Sequence, residues 1–191
     1  TGLALGDVTD SAATGDVQYI LVDSNLPKGN HGGLVGVTGG NVTDSRATGN
    51  VDSSNGLVGG LVGTVGLSAL RANPSVNLSG VPTVDLSVVN STAIGDVDGG
   101  NRTGGLVGKF GPDTSSSIPK ENITDSSATG SVTSTGDDVG GLVGYFRGTS
   151  ITASSASGTI ESDGSRVGGL VGNLDDGSIM DSSAKEVTVN G

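Results

Sequence analysis

Small and apolar residues occupy alternate positions in a segment that recurs along this chain. One parity reads Ser11, Ala13, Gly15 and Val17, and later Ser126, Ala128, Gly130 and Val132. The other reads Asp10, Ala12, Thr14 and Asp16, then Asp125, Ser127, Thr129 and Ser131. A strand with one buried face alternates in this way. The inward set stays small for three steps before reaching Val, which predicts two walls in close approach there. Between these segments stands GGLVG, unchanged at 32–36, 59–63, 104–108, 140–144 and 168–172. Adjacent Leu and Val cannot share a face of a straight strand, so the pentapeptide predicts a short strand with Gly at both ends, at a bend.

Spacing gives the unit. Ala128 to Leu142, Leu142 to Ala156, Ala156 to Leu170 and Leu170 to Ala184 are each 14 residues, so the repeat is 28 residues in two halves. The alternating segment starts at Asp10, Asp44, Asn90, Asp125, Ala153 and, in degenerate form, Asp181. Insertions interrupt the frame near 18–30, 64–87 and 109–120. A strand-and-turn unit this short cannot bury its apolar face alone, whereas copies stacked at about 4.8 Å pair every strand above and below. The expected fold is all-β: one parallel β-solenoid over 1–191, with about five to six rungs and loop insertions. The Leu of each GGLVG and the Ala of each alternating segment should form columns, and Phe110 and Phe146 should be neighbours inside.

Composition sharpens this picture. Gly (36), Ser (26) and Thr (19) dominate, with two Phe, two Tyr and no Trp. So few rings require a thin core of Val, Leu, Ile and Ala, and this density of Gly argues against helices. The net charge of −11, from 20 Asp and Glu against nine Lys and Arg, repels phosphate backbones and anionic lipids, so nucleic-acid binding is not expected. The absence of Cys removes thiol and disulfide chemistry. No apolar run approaches the roughly 20 residues that span a bilayer, so membrane insertion is not expected.

The alternation of GGLVG with D-S-x-A-x-G-x-V resembles the GLUG-motif repeats of large bacterial and archaeal surface proteins. The resemblance implies a secreted or cell-surface location and adhesin-like stalks. It also implies a structural motif, and therefore no catalytic residue.

Candidate chemistry is sparse. The single histidine, His31, excludes a His-Glu-x-x-His zinc helix and reads as an ordinary loop position ahead of GGLVG. No G-x-S-x-G elbow occurs, and 103–110 only mimics a phosphate loop. Asp10, Asp44, Asp125 and Asp181 share one repeat position, which reads as a turn, with calcium as a weak alternative. Asn41, Asn77, Asn90, Asn101 and Asn122 head N-x-S/T sequons, open to glycosylation or serving as turn residues. The expected function is an extracellular structural protein, a filament subunit or adhesin stalk on a bacterium or archaeon, with no cofactor and no catalysis. A carbohydrate-active β-helix enzyme or a glycan- or calcium-binding surface module is the alternative. The chain starts and stops inside repeats without a cap, so its expected partner is another copy, head to tail, or further repeats of a longer protein.

Overall fold

A computed structural model describes residues 2–19, 29–66, 85–112 and 121–190. Every strand pairing among them is parallel, and they contain no helix. The strands form two ten-stranded sheets, A and B, and a five-stranded sheet C. One complete turn runs Asn30–Gly32 in sheet C, Val35–Thr38 and Val42–Thr43 in sheet A, then Arg46–Ala47 and Val51–Ser53 in sheet B. The next turn enters at Leu57–Gly59, directly above Asn30–Gly32. The result is the expected parallel β-solenoid, six turns high.

The predicted columns are present. Ala13, Ala47, Ala93, Ala128, Ala156 and Ala184 pair consecutively in sheet B. Leu34, Leu61, Leu106, Leu142 and Leu170 follow one another through backbone N–H···O bonds of 2.9–3.0 Å. Phe110 lies in register with Phe146, and their fully buried rings stack at 5.3 Å. These residues belong to one apolar cluster with Val42, Val88, Ile123 and Ile151 from the second ladder of sheet A. Two smaller clusters join sheets B and C: Val51, Val58 and Val97, then Val132, Val139 and Ile160.

GGLVG is not one strand. Its first Gly ends a sheet C strand, the next two residues turn the corner, and its Val opens a sheet A strand, as in Val139–Gly140 followed by Val143–Thr152. The corner explains how Leu142 and Val143 are both fully buried despite being adjacent. It also explains the glycines. A Cβ on Gly104 would meet the Val107 carbonyl oxygen at 2.1 Å and the Gly144 amide nitrogen at 2.7 Å, so backbone packs on backbone. A Cβ on Gly105 would meet the Gly141 carbonyl oxygen at 2.2 Å and the Ala128 methyl at 2.9 Å. The small inward column is small because it fills the space beside these glycines.

Polar residues hold the corners together. In each copy Ser11, Ser45, Ser91, Ser126, Ser154 or Ser182 donates its hydroxyl to the carbonyl two residues earlier, at 2.8–2.9 Å. The same oxygens of Ser45, Ser91, Ser126, Ser154 and Ser182 accept the amide N–H of the preceding turn's Ser at 3.0–3.3 Å. At other corners an Asp or Asn side chain accepts an N–H from the turn above: Asp7 from Asn41, Asp16 from Asn50 and Asp96 from Ser131, at 2.7–2.8 Å. These carboxylates satisfy backbone donors that would otherwise face a corner without a partner.

Two further expectations need correction. The insertions are shorter than 18–30, 64–87 and 109–120, because Gln18 and Tyr19, Thr64 and Val65, and Lys109 and Phe110 remain in their strands. Pairing with neighbouring turns holds these residues in the stack. Asn30 and Ser87 likewise already belong to the strands that follow. His31 is not a loop residue. It lies in the strand Asn30–Gly32 in register with Val58, is 3% exposed, and packs on the Tyr19 ring at 4.7 Å.

Candidate functional site

The Asp position at the start of each alternating segment is a turn. Asp10, Asp44, Asn90, Asp125, Ala153 and Asp181 all have φ between 47° and 51°, a left-handed conformation that Asp and Asn tolerate best among residues with a side chain. All six are exposed, and each precedes a buried or half-buried Ser of the hydroxyl ladder. Asn90 donates from Nδ2 to Asp44 Oδ1 at 2.5 Å, so neighbouring members of the column bond to one another. Among the described residues no group of three or more His, Asp or Glu side chains is placed to hold a metal ion.

The sequon asparagines divide. Asn41 Oδ1 accepts from the Ser87 amide and hydroxyl at 2.9 and 3.0 Å, and Asn122 Oδ1 accepts from the Ser150 hydroxyl at 3.0 Å. Both act as corner bonds between turns. Asn90 and Asn101 are exposed, the latter accepting the Asp137 N–H at 3.0 Å. Asn77 lies outside the described residues.

The most developed polar arrangement sits where sheet B turns into sheet C, two residues ahead of each GG. There the column reads Asn30, Leu57, Arg102, Asp138 and Arg166. Arg102, Asp138 and Arg166 have φ of 54°, 59° and 58°, left-handed conformations that neither Arg nor Asp adopts without cost. Asp138 is 4% exposed, with Arg166 Nε at 2.5 Å from one carboxylate oxygen and Arg102 Nε at 3.6 Å from the other. The Arg102 guanidinium also lies over the Tyr145 ring, 4.4 Å from its centroid. Tyr145 donates its hydroxyl to Asp175 at 3.1 Å, and Asp175 pairs with Arg147. Burial, and then this bond to Asp175, raise the Tyr145 hydroxyl above its ordinary pKa. The side chains form one network from Arg166 to Arg147.

Beside the network runs an open cleft of about 520 Å³, lined by residues of five turns from Gly29 and Asn30 to Arg166. Asp137, at its rim, is held below the usual carboxylate range by the Ser165 hydroxyl and then the Ser165 amide, both bonding its Oδ1 at 2.7 Å. On the sheet B strand Val97–Gly99, which leads into Arg102, Asp98 is pushed above its ordinary pKa by burial and by Asp52 in the turn below. Sequence reading missed this network. The signal lay in the position two residues before GG, where Arg102, Asp138 and Arg166 alternate in charge.

Two buried groups stand apart from the cleft. His31 has neither ring nitrogen hydrogen-bonded, and burial lowers its pKa. Glu121, 3% exposed with Oε2 unpartnered, is pushed up to about 7 by burial, with Lys109 opposing the shift and Asp85 adding to it.

Comparison with known proteins agrees with the repeat frame. The family profile described as the GLUG motif matches residues 135–161 and 163–190. The chain is similar to Halomucin of Haloquadratum walsbyi, 42% identical over 67 residues, which is 34% of this chain and 1% of that protein's length. No solved structure matches it significantly. The two matched stretches lie in the last two turns, and GGLVG keeps the same register in the three turns before them. Residues 135–161 and 163–190 are GLUG-motif repeats.

Proposed function

We propose that this chain is a non-catalytic structural segment of an extracellular surface protein, adding length by stacking turns. The observation that carries the reading is the register: each inward column runs unbroken through consecutive turns by parallel pairing, so the fold is extended simply by adding turns. In the last turn Leu174, Ile179 and Val189 are 42%, 39% and 46% exposed, whereas Phe146, Ile151 and Ile160 in the turn before are buried. The first turn matches the last column by column. In the repeat register Ala4 follows the line of Leu174, Val8 that of Ile179, Ala13 that of Ala184 and Val17 that of Val189. Open strand edges above an apolar row recruit further strands. The next turn comes from a second copy stacked head to tail, giving an open-ended filament, or from further repeats of a longer protein.

The similarity to Halomucin and the GLUG motif support a surface location, and the net charge of −11 suits a soluble, strongly hydrated exterior. Light scattering of the 191-residue chain, with negative-stain electron microscopy, tests the assembly. Fibres that lengthen with concentration are expected, and more readily at high ionic strength, where the acidic surfaces repel less. A strictly monomeric species at every concentration contradicts the filament. Antibody labelling of intact source cells tests location, and labelling only after lysis contradicts an exterior role.

A further inference from the structure

We infer that the cleft where sheet B turns into sheet C binds a neutral, hydroxyl-rich linear polymer, a polysaccharide strand laid along the solenoid axis. The cleft is built by a repeat position, so its contacts recur once per turn, at about 4.8 Å. Along it the Arg102 and Arg166 guanidiniums, both held by the buried Asp138 carboxylate, supply donors. At its rim Asn101 Oδ1 accepts the Asp137 N–H, and Ser165 bonds the Asp137 carboxylate through Oδ1 alone, so that Oδ2 supplies the acceptor. A hydroxyl donates and accepts at once, so a polyol satisfies both members of such a row, whereas a carboxylate or sulfate satisfies only the donors.

Charge points the same way. Two arginines and two aspartates in the lining cancel, and Asp52 and Asp98 stand on the adjoining strands. A polyanion would meet that acidic column and the chain's net charge of −11. Leu57, flanked by Gly56 and facing the same cleft, supplies a flat apolar patch for the C–H face of a sugar. The network is also held in place before any ligand arrives: Asp138 is buried between the arginines, and Arg102 is fixed over Tyr145.

The experiment is affinity electrophoresis of the intact chain through gels containing dextran, β-1,3-glucan, mannan or galactan, with alginate and dextran sulfate in parallel. Retardation by at least one neutral polymer is expected, and none by the two polyanions. Arg166→Gln and Asp137→Asn should each weaken that retardation at least tenfold. Asp137→Asn keeps the Oδ1 acceptor of the corner bond, and circular dichroism checks that both variants retain the β-sheet spectrum. Lys185→Gln, on a strand of sheet B outside the cleft, should bind like the parent chain. Retardation by none of the neutral polymers, stronger retardation by the polyanions, or retardation unchanged in both cleft variants overturns the proposal.

Discussion

The fifth and sixth turns carry nearly the same residues in the same columns and differ in what lies above them. Phe146 and Ile151 are fully buried and Ile160 is 1% exposed, whereas their counterparts Leu174, Ile179 and Val189 are 42%, 39% and 46% exposed. The strand Val143–Thr152 pairs on both sides; Val171–Met180 pairs only below. At the inward positions, burial therefore depends on stacking as well as on position within the repeat. A turn owes its stability to its two neighbours, and an end turn has one.

Substitutions in matched pairs, inner turn against last turn, sharpen that contrast. The largest difference should come from glycine. A Cβ on Gly141 meets the Gly169 carbonyl oxygen at 2.3 Å and Ala156 Cβ at 3.0 Å, whereas one on Gly169 meets Ala184 Cβ at 3.0 Å and no carbonyl above. Gly141→Ala should cost about 3 kcal/mol in urea unfolding, and Gly169→Ala about 1 kcal/mol or less. Equal costs would mean that the inner turns are not packed backbone on backbone.

Truncation should show a smaller version of the same asymmetry. Ile151→Ala should lose about 2–4 kcal/mol, the usual range for a fully buried aliphatic side chain. Ile179→Ala, in the same column one turn higher, should lose about 1 kcal/mol or less in the unassembled chain. If the ends associate, the loss at Ile179 should grow with protein concentration, because assembly buries that column.

A third test uses pH. Glu121 lies in an inner turn with its folded-state pKa raised from 4.5 to about 7. For an acid raised in this way the protonated form is the one the fold accepts. Its contribution is intact below about pH 4.5 and is lost as pH rises through about 7. Glu121→Gln should therefore raise stability at pH 8 by about 3 kcal/mol, relative to its effect at pH 4, where both side chains are largely uncharged. His31 acts in the opposite direction. Its pKa is lowered in the fold, so stability falls as pH drops below 6.5 and the unfolded chain takes up a proton first. His31→Val, matching Val58 in the turn above, should remove that acid-side loss in a pH series of thermal melts.

Much of this architecture was legible in the chain itself. Five copies of GGLVG on a 28-residue frame locate the columns, and the Ser11, Ala13 and Gly15 positions, small in the first five copies, mark the pinch between walls. The corner inside GGLVG was less legible, because alternation assumes a straight strand and the two buried neighbours Leu142 and Val143 violate it. His31 was misread because polarity alone suggests a loop, whereas its column partner Val58 marks the position as buried. The cleft was missed for a different reason. Arg102, Asp138 and Arg166 vary in identity from turn to turn, so a search for identical repeats passes over them. Only stacking brings Asp138 between its two arginines.

The in-register stack is the central claim, and the absence of cysteine makes it directly measurable by spin labels at introduced cysteines. Arg46, Thr92, Ser127, Ser155 and Ser183 form one column on the surface of sheet B. Labels at Arg46 and Ser183 are separated by 137 residues of sequence but by four turns, about 19 Å between backbones at the parallel-strand spacing. Pulsed electron paramagnetic resonance on the Arg46→Cys, Ser183→Cys chain, diluted with unlabelled protein, should give one distance within label reach of that value. The Arg46→Cys, Ser155→Cys pair should give a distance shorter by one turn. A distance beyond about 30 Å for the first pair, or no shortening in the second, would contradict the stack.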